Sequence, residues 1–252
     1  MNRDLVGKGA IITGAASGIG EATVAAFLDK GARVVGIDRD ASGLAAPTGK
    51  SRTRCFGVVA DLADPRQAEN AVVSAIGQLG RAHVLVNCAG VGLRANLADT
   101  SDEQYQTMFD VNVRAVFLTC RAVIPHMLGS GGGVIINVAS SLASKAARER
   151  AVYAATKAAV VALTRSITVD FGTRGIRANC VAPGTTDTPW IGRILAGAPN
   201  PEELRAQMAA RQAVGRLGRP EEIAAVIVFL ASDAASFVHG AVVAVDGGQT
   251  AW

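Results

Sequence analysis

The chain has 252 residues, of which 50% are hydrophobic and 18% are charged, so it can bury the core of one large domain. This composition excludes an intrinsically disordered protein, because disordered chains have few apolar residues and many charges. The net charge is only +4 and no run of five or more Lys or Arg residues occurs, which argues against nucleic-acid binding.

Two observations concern the compartment. The N-terminus has no long apolar stretch of the signal-peptide kind, and the longest apolar helical run, residues 223–231, is too short to cross a bilayer. The cysteines lie singly in apolar segments without a CxxC pair, at Cys55, Cys88, Cys120 and Cys180. This pattern is typical of buried, reduced thiols. We therefore expect a cytoplasmic protein that does not bind membranes.

Apolar runs alternate with amphipathic stretches along the chain. The runs predict strands at residues 10–13, 33–38, 55–60, 84–87, 134–138, 177–182 and 241–245. Helical patterns lie between them, at residues 18–30, 65–79, 102–128, 152–171 and 221–231. This alternation predicts an α/β protein with a doubly wound Rossmann fold, in which helices flank both faces of a seven-stranded parallel sheet. Residues 1–252 are expected to form a single domain.

One segment interrupts the alternation. Residues 184–215 are long for a connection, contain Pro189, Pro199 and Pro201, and carry a short helical pattern at residues 202–212. A long excursion at the carboxyl end of a strand is more often a binding loop than a linker. We predict a substrate lid at residues 185–215, after the sixth strand.

A glycine-rich turn joins the first strand to the first helix, Thr13-Gly14-Ala15-Ala16-Ser17-Gly18-Ile19-Gly20. Glycines at such a turn let the backbone approach a pyrophosphate, whose charge is stabilised at the helix N-terminus. The spacing is Gly-x3-Gly-x-Gly, which differs from the dinucleotide fingerprint Gly-x-Gly-x2-Gly. Taken alone, the turn is also explained as a purely structural one.

The end of the second strand bears on the choice between NAD and NADP. Asp38 lies there, where a carboxylate can accept hydrogen bonds from the adenosine ribose hydroxyls and repel a 2′-phosphate. Ala16 offers no cation for a phosphate, whereas Arg39 does. We favour NAD.

Two later strand ends carry polar or small residues, Asp61-Leu62 and Asn87-Cys88-Ala89-Gly90. Ligands bind at the carboxyl ends of strands in open α/β sheets, so both are candidate cofactor contacts. Helix caps and turn glycines explain each of them equally well when taken singly.

Tyr153 and Lys157 lie four residues apart on a predicted helix and share one of its faces. A free tyrosine has a pKa of about 10, and a nearby cation favours the phenolate and brings the group toward a useful range for acid–base catalysis. Ser140, at the end of the preceding strand, can hold a substrate oxygen. Without context, a Tyr-x3-Lys pair is usually only a feature of a helix surface.

The context is an ordered set of motifs, Thr13-Gly14-x3-Gly18-Ile19-Gly20, Asp61, Asn87-x-Ala89-Gly90, Asn112, Ser140, Tyr153-x3-Lys157 and Pro183-Gly184. From about Lys8 to Gly248 this set resembles the short-chain dehydrogenase/reductase family. The resemblance implies hydride transfer between nicotinamide and an alcohol/ketone pair, with Tyr153 as the general acid/base.

The resemblance also implies the roles of the other site residues. Lys157 lowers the pKa of Tyr153 and binds the nicotinamide ribose, Ser140 orients the substrate carbonyl, and Asn112 positions a water in a proton relay. The expected cofactor contacts are Gly14, Ser17, Gly18, Ile19, Gly20, Asp38, Arg39, Asp61, Leu62, Asn87, Ala89, Gly90, Tyr153, Lys157, Pro183, Gly184, Thr186 and Thr188. A homotetramer is implied as well, with the helices at 102–128 and 152–171 pairing with their copies.

The substrate is expected to be small and anionic. Arg150, Arg193 and Arg211 lie in segments that the fold places over the active site, and arginine suits a carboxylate. We predict that these three bind the substrate together with Ser140 and Tyr153, and that Trp252 closes the pocket. Surface salt bridges are the alternative for each arginine.

Local similarity to a subgroup acting on small hydroxy acids favours a deoxy-sugar acid such as 2-keto-3-deoxy-L-fuconate. The alternatives are a 3-hydroxybutyrate-type dehydrogenase, a 3-oxoacyl reductase-like enzyme and a non-catalytic nucleotide sensor. His83, His126 and His239 show no ligand spacing, so no metal is expected.

Overall fold

The computed structural model describes residues 5–49 and 53–252. Within them, parallel strands form one seven-stranded sheet in the order β3-β2-β1-β4-β5-β6-β7. The strands are β1 Gly9–Thr13, β2 Arg33–Asp38, β3 Cys55–Val59, β4 Val84–Asn87, β5 Gly133–Val138, β6 Ile176–Pro183 and β7 Val242–Val245. The predicted doubly wound Rossmann fold is confirmed.

Helices cover both faces of the sheet. They are α1 Gly18–Asp29, α2 Ala41–Gly49, α3 Pro65–Leu79, α4 Asp102–Phe109, α5 Ala115–Gly129, α6 Ala151–Phe171, α7 Pro189–Ala196, α8 Pro201–Ala209 and α9 Pro220–Ala231. Because successive strand residues face opposite sides, Ile11 packs in one core with α3, α5 and α6, and Ile12 packs in the other with α1 and α9.

The strand order reverses at β1, which pairs with β2 on one side and with β4 on the other. The crossovers that start at β1 and β4 therefore run in opposite directions and leave a crevice at the carboxyl ends of these strands. This crevice is where an open α/β sheet binds ligands.

Two helices were not predicted. The α2 sequence includes Gly43 and Pro47, which are poor helix formers, so its pattern does not indicate a helix. The α7 helix begins at Pro189 after Thr188, whose side chain accepts a hydrogen bond from the Ile191 amide. The helical pattern at residues 202–212 corresponds to α8, which ends at Ala209. Residues 185–215 thus hold two short helices, and their motion as a lid stays a prediction.

The long helix predicted at residues 102–128 is broken in the middle. A π-helical turn, Asp110–Arg114, joins α4 to α5 and surrounds Asn112. The combined helix Asp102–Gly129 is, among the described residues, the one long and apolar enough to cross a membrane by length and composition. Residues 223–231 are therefore not the longest apolar helical run. Core helices of soluble proteins pass the same test, and α5 contributes to the core between sheet and helices.

The apolar residues of the two helices that are expected to pair between subunits differ in their exposure. Val116 and Val160 are buried in the protein's own core, whereas Phe117 is 44% exposed on α5. The core accounts for the first two, and the homotetramer stays a prediction.

Candidate active site

The turn between β1 and α1 requires glycine at defined positions. Gly14 has a φ of +66°, and a Cβ there would lie 2.8 Å from Cα and N of Ala89 in the turn after β4. A Cβ on Gly20 would overlap the carbonyl oxygen of Gly14. The Ala89 amide also donates to Oγ1 of Thr13, at 3.1 Å, so the two turns are held together.

The N-terminus of α1 faces the same place. Ser17 is the N-cap residue, but its side chain makes no capping hydrogen bond, so the first amides of this 12-residue helix stay available to an anion. A glycine-rich turn that lets the backbone approach a ligand closely and an uncapped helix N-terminus together fit the pyrophosphate of a dinucleotide.

These elements border a cleft of about 560 Å³. The cleft brings together nearly all the predicted cofactor residues, namely Gly14, Ser17, Gly18, Ile19, Gly20, Asp38, Arg39, Asp61, Leu62, Ala89, Gly90, Tyr153, Lys157, Pro183, Gly184, Thr186 and Thr188. They come from six separate stretches of the chain, which the strand order joins along one edge of the sheet.

Asn87 is the exception among the predicted cofactor contacts. Its side chain is buried, donates to Oδ1 of Asn137 at 2.8 Å and accepts from the Thr119 hydroxyl at 2.8 Å. It does not line the cleft. Buried amides need such partners, so the Asn87 side chain links β4, β5 and α5 instead of reaching a ligand.

Asp38 is fixed at the end of β2 by two backbone amides. Its Oδ2 accepts from Ala16 N–H and its Oδ1 from Asp40 N–H, each at 3.0 Å. Both Asp38 and Arg39 border the cleft, so a carboxylate and a guanidinium lie next to each other there.

The acid–base residues meet at the start of α6. Tyr153 and Lys157 lie one turn apart, with Nζ of Lys157 5.9 Å from the centre of the Tyr153 ring. The Ser140 hydroxyl hydrogen-bonds to Tyr153 and accepts from the Leu142 amide at 3.2 Å. Nζ of Lys157 donates to the Val138 carbonyl at 2.9 Å.

Burial dominates the titration of both groups. It raises the pKa of Tyr153, and the Ser140 hydrogen bond and the Arg150 charge oppose the rise only in part. Burial also lowers the pKa of Lys157 to about 8. In the protein without its cofactor, the pKa of Tyr153 is therefore raised and not lowered as the resemblance implies. Removal from water is the largest effect on the pKa of both residues.

Asn112 is fully buried and lies behind the cleft rather than in it. Its Oδ1 accepts from Val91 N–H at 2.8 Å, and its Nδ2 donates to the Val91 carbonyl at 2.9 Å and to Oγ1 of Thr156 at 3.1 Å. The side chain thus holds the loop after β4 against α6. The π-helical turn around Asn112 is a feature often found at functional sites, and its water-positioning role stays a prediction.

At the substrate end, Arg150, Arg193 and Arg211 all line the cleft, as predicted. Arg150 donates to the Leu93 carbonyl at 2.8 Å and lies 5.6 Å from the centre of the Trp190 ring. The other two make no salt bridge with the residues that the structure describes.

Sequence reasoning missed Trp190, which forms a wall of the cleft. A Cβ on Gly92 would overlap the Trp190 ring, so α7 contacts the loop after β4 at this point. The signal that could have found it is the Thr-Pro pair before it, which starts a helix at the edge of the site. Gln249, also missed, lines the cleft and accepts at Oε1 from the Ser141 hydroxyl at 3.3 Å.

Trp252 does not close the cleft of its own chain. Its side chain is 73% exposed and borders a neighbouring cavity, where Nζ of Lys145 lies 5.9 Å from its ring. Lys145 also donates to the backbone oxygens of Gln249 and Trp252, at 2.8 and 2.7 Å, and so holds the tail beside this second cavity. Separately, no three His, Cys, Asp or Glu side chains among residues 5–49 and 53–252 form a group that could hold a metal ion.

Known proteins share this architecture and sequence. Residues 14–250 match the family model described as enoyl-(acyl carrier protein) reductase. The chain is 41% identical over 245 residues to the cis-4-hydroxycyclohexanecarboxylate dehydrogenase of Sinomonas cyclohexanicum, with 96% of each chain covered. It is 38% identical over 249 residues to the 2-keto-3-deoxy-L-fuconate dehydrogenase of Xanthomonas campestris, covering 98% of this chain and 81% of that protein. A solved short-chain dehydrogenase/reductase from Burkholderia xenovorans superposes with a TM-score of 0.94 at 31% identity, over 100% of this chain and 99% of that one.

Proposed function

Since the chain belongs to the short-chain dehydrogenase/reductase family, we propose that it uses NAD(H) to interconvert the alcohol and the ketone of a small, carboxylate-bearing, sugar-derived substrate. A compound such as 2-keto-3-deoxy-L-fuconate has the required chemistry. The observation that carries the proposal is one cleft in which Ser140, Tyr153 and Lys157 lie between a dinucleotide cradle and an arginine-bearing rim.

The coarser activity does not depend on this choice of substrate. Relatives across the whole chain are named dehydrogenases, so the protein is an oxidoreductase acting on an alcohol/ketone pair. The prediction of an enzyme is therefore confirmed against the alternative of a non-catalytic nucleotide sensor.

Each site residue has a definable task in this reaction. The nicotinamide of a bound dinucleotide supplies or takes up the hydride. Tyr153 gives its hydroxyl proton to the substrate oxygen during reduction and takes it back during oxidation, while the Ser140 hydroxyl holds that oxygen. Burial keeps the proton on Tyr153 in the free protein, so the resting form is ready to reduce. Oxidation needs the phenolate, which the Ser140 hydrogen bond and the Arg150 charge favour.

The preference for NAD rests on Asp38. Two backbone amides fix its carboxylate at the cleft, so it cannot turn away from an adenosine ribose without losing both hydrogen bonds. A fixed negative charge at this place repels a 2′-phosphate. The neighbouring Arg39 works in the opposite direction, and a direct test is therefore needed.

We expect Asp38→Asn to lower the ratio of kcat/KM with NAD to kcat/KM with NADP by about 10-fold, a difference of roughly 1.4 kcal/mol. The amide oxygen can still accept from the Ala16 amide, but the amide nitrogen cannot accept from Asp40 N–H, so the variant loses one backbone hydrogen bond together with the charge. Adding Ala16→Arg should lower the ratio further by giving the phosphate a cation. Asp40→Asn is the matched control, because within the described part of the chain that carboxylate accepts from Ser42 and Gly43 in its own turn. A native enzyme that already prefers NADP would contradict our interpretation of Asp38.

The carboxylate on the proposed substrate is supported by the arginines. Arg193 and Arg211 border the cleft without a carboxylate partner among the described residues, and so does Arg150, whose guanidinium donates to a neutral carbonyl. Two relatives bear names of carboxylate substrates. A guanidinium and a carboxylate form strong charge-assisted hydrogen bonds.

We expect Arg193→Met and Arg211→Met each to lower kcat/KM by about 10-fold or more for a hydroxy acid and to leave the value for its amide nearly unchanged. The loss corresponds to one charge-assisted hydrogen bond, about 1.5–3 kcal/mol. Arg174→Met serves as the control, since Arg174 stacks on Phe171 and borders no part of the cleft. Equal losses on acid and amide would point to general destabilisation. No loss on either would leave a neutral sugar or simple alcohol as the substrate.

A further inference from the structure

Beside the reaction cleft lies a second cavity of about 470 Å³, which the proposed reaction does not use. The two spaces share a wall formed by Ala147, Arg150, Met208, Arg211 and Gln249. The two spaces therefore adjoin each other at these five side chains.

The second cavity is strongly cationic. Its charged lining consists of five cations and one carboxylate, Arg94, Lys145, Arg148, Arg150, Arg211 and Glu149. Glu149 is ion-paired with Arg94, so no side-chain carboxylate in the lining is left for the other four cations. Lys145 donates to the backbone oxygens of Gln249 and Trp252, and Arg150 donates to the Leu93 carbonyl. Arg148 and Arg211 form no salt bridge within the described part of the chain.

These cations are close enough to affect one another. Burial lowers the pKa of Arg150, and the guanidinium groups of Arg211 and Arg94 lower it further, against the opposing effects of Tyr153 and Glu149. Like charges held together cost free energy that a bound anion offsets. Such a cluster of cations is expected where an anion binds, and not where side chains only pack against one another.

The backbone beside two of the cations is constrained. Glu149 has a φ of +58° and is, among the described residues, the one non-glycine residue with a positive φ. This conformation is uncommon for glutamate and is held here by the Ala95 amide, which donates to the Glu149 carbonyl at 3.0 Å. Ala95 and Arg150 also form an isolated β-bridge. The loop after β4 therefore holds Glu149 and Arg150, and Arg148 precedes the constrained residue.

Apart from Gln249, the rest of the lining is apolar. Ile194 of α7 and Leu204 and Met208 of α8 form one side, and Trp252 borders the cavity from the tail. A cavity with cations on one side and aliphatic groups on the other suits an anionic group carried on a short apolar linker.

We propose that the second cavity binds a second anionic group of the substrate, a carboxylate, phosphate or sulfonate separated by a short linker from the carbon that is oxidised. This inference rests on the proposed function, since it extends the substrate of the same active site. Arg150 and Arg211 lie at the wall between the two anionic groups, and Arg148 contacts only the distal one.

Binding is tested without catalysis by fluorescence. The chain contains two tryptophans, so Trp190→Phe leaves Trp252 as the reporter at the second cavity. We expect inorganic phosphate and methylphosphonate to change its emission saturably, and neutral dimethyl methylphosphonate to have no effect. Adding Arg148→Glu should raise the Kd of both anions about 10-fold, because it replaces an attractive charge with a repulsive one. Adding Arg174→Met should leave the Kd within about twofold. An absent signal, or an unchanged Kd in Arg148→Glu, overturns the proposal.

Kinetic measurements then distinguish a site for free anions from a site for an anionic group of the substrate. They compare two secondary alcohols of identical chain length, one of which ends in a phosphonate and the other in the dimethyl ester of that phosphonate. We expect the phosphonate to have the higher kcat/KM, phosphate to compete with it, and Arg148→Glu to lower the ratio of the two values about 10-fold.

The two proposals fail in different ways. If phosphate binds but both alcohols react equally well, the second cavity is a site for free anions and the substrate proposal is wrong. If no secondary alcohol turns over with NAD, the proposed function is wrong, while the fluorescence titration still decides whether the cavity binds anions.

Discussion

Tyr153→Phe is expected to abolish turnover, with a loss of about 10²- to 10⁴-fold in kcat, while the protein still folds and binds NAD. The change removes one hydroxyl, which is the group that exchanges a proton with the substrate oxygen. Tyr153 is half-buried and its hydroxyl is hydrogen-bonded to Ser140, so the hydroxyl contributes about 1 kcal/mol to folding at most. Steady-state rates should be measured together with NADH binding, so that a catalytic defect is distinguished from a binding defect.

The chain provides its own control for this substitution. Its other tyrosine, Tyr105, lies on α4, is 47% exposed and stacks on Phe109. Tyr105→Phe removes the same atom far from the cleft and should leave kcat unchanged. Activity above a few per cent in Tyr153→Phe would mean that another group carries the proton.

Periodicity was enough to predict the sheet, because strands buried on both faces appear as uninterrupted apolar runs. The cofactor cleft followed from topology, since the carboxyl ends of parallel strands meet at one edge. Sequence analysis failed where a side chain could point in two directions. Asn87 ends a strand at that edge, yet its amide turns into the protein toward Asn137 and Thr119.

Short elements and distant contacts were also beyond sequence reasoning. The nine residues of α2 include two glycines and a proline, which are poor helix formers, so no helical periodicity is detectable. The position of Trp252 depends on Lys145, which is 107 residues away and binds the tail carbonyls. The opposing pKa effects at Tyr153 could not be ranked either, because the burial of a side chain cannot be read from a four-residue spacing.

Lys157 is expected to support catalysis but to lower the free energy of unfolding. Burial lowers its pKa from 10.5 to about 8, which corresponds to an unfavourable free energy of about 3 kcal/mol for the charged form at neutral pH. The hydrogen bond from Nζ to the Val138 carbonyl offsets about 1 kcal/mol of this unfavourable free energy. Removal of the ammonium group should therefore favour folding.

We accordingly expect Lys157→Met to lose activity by at least 10²-fold and to weaken NAD binding, yet to raise the free energy of unfolding at pH 7 by about 1–2 kcal/mol. Lys157 lies beside Tyr153 in the cleft, so its loss affects the site, whereas methionine fills a similar apolar volume without a charge to desolvate. Urea unfolding of both proteins without cofactor measures the difference directly. A variant less stable than the native protein at pH 7 would contradict the assignment of the buried charge as the dominant cost.

The pH dependence of this difference gives a sharper test, because its sign is fixed by the direction of the pKa shift. Between pH 8 and 10.5 the unfolded chain keeps a proton on Lys157 that the folded chain has lost. Stability rises with pH wherever the unfolded state binds more protons, so the native protein gains stability across this window from this residue. Lys157→Met lacks that gain. Its advantage over the native protein should therefore be largest below pH 8 and should shrink steadily toward pH 10.5. A difference that stays constant from pH 7 to 10 would show that Lys157 titrates alike in both states, and that burial does not hold its pKa down.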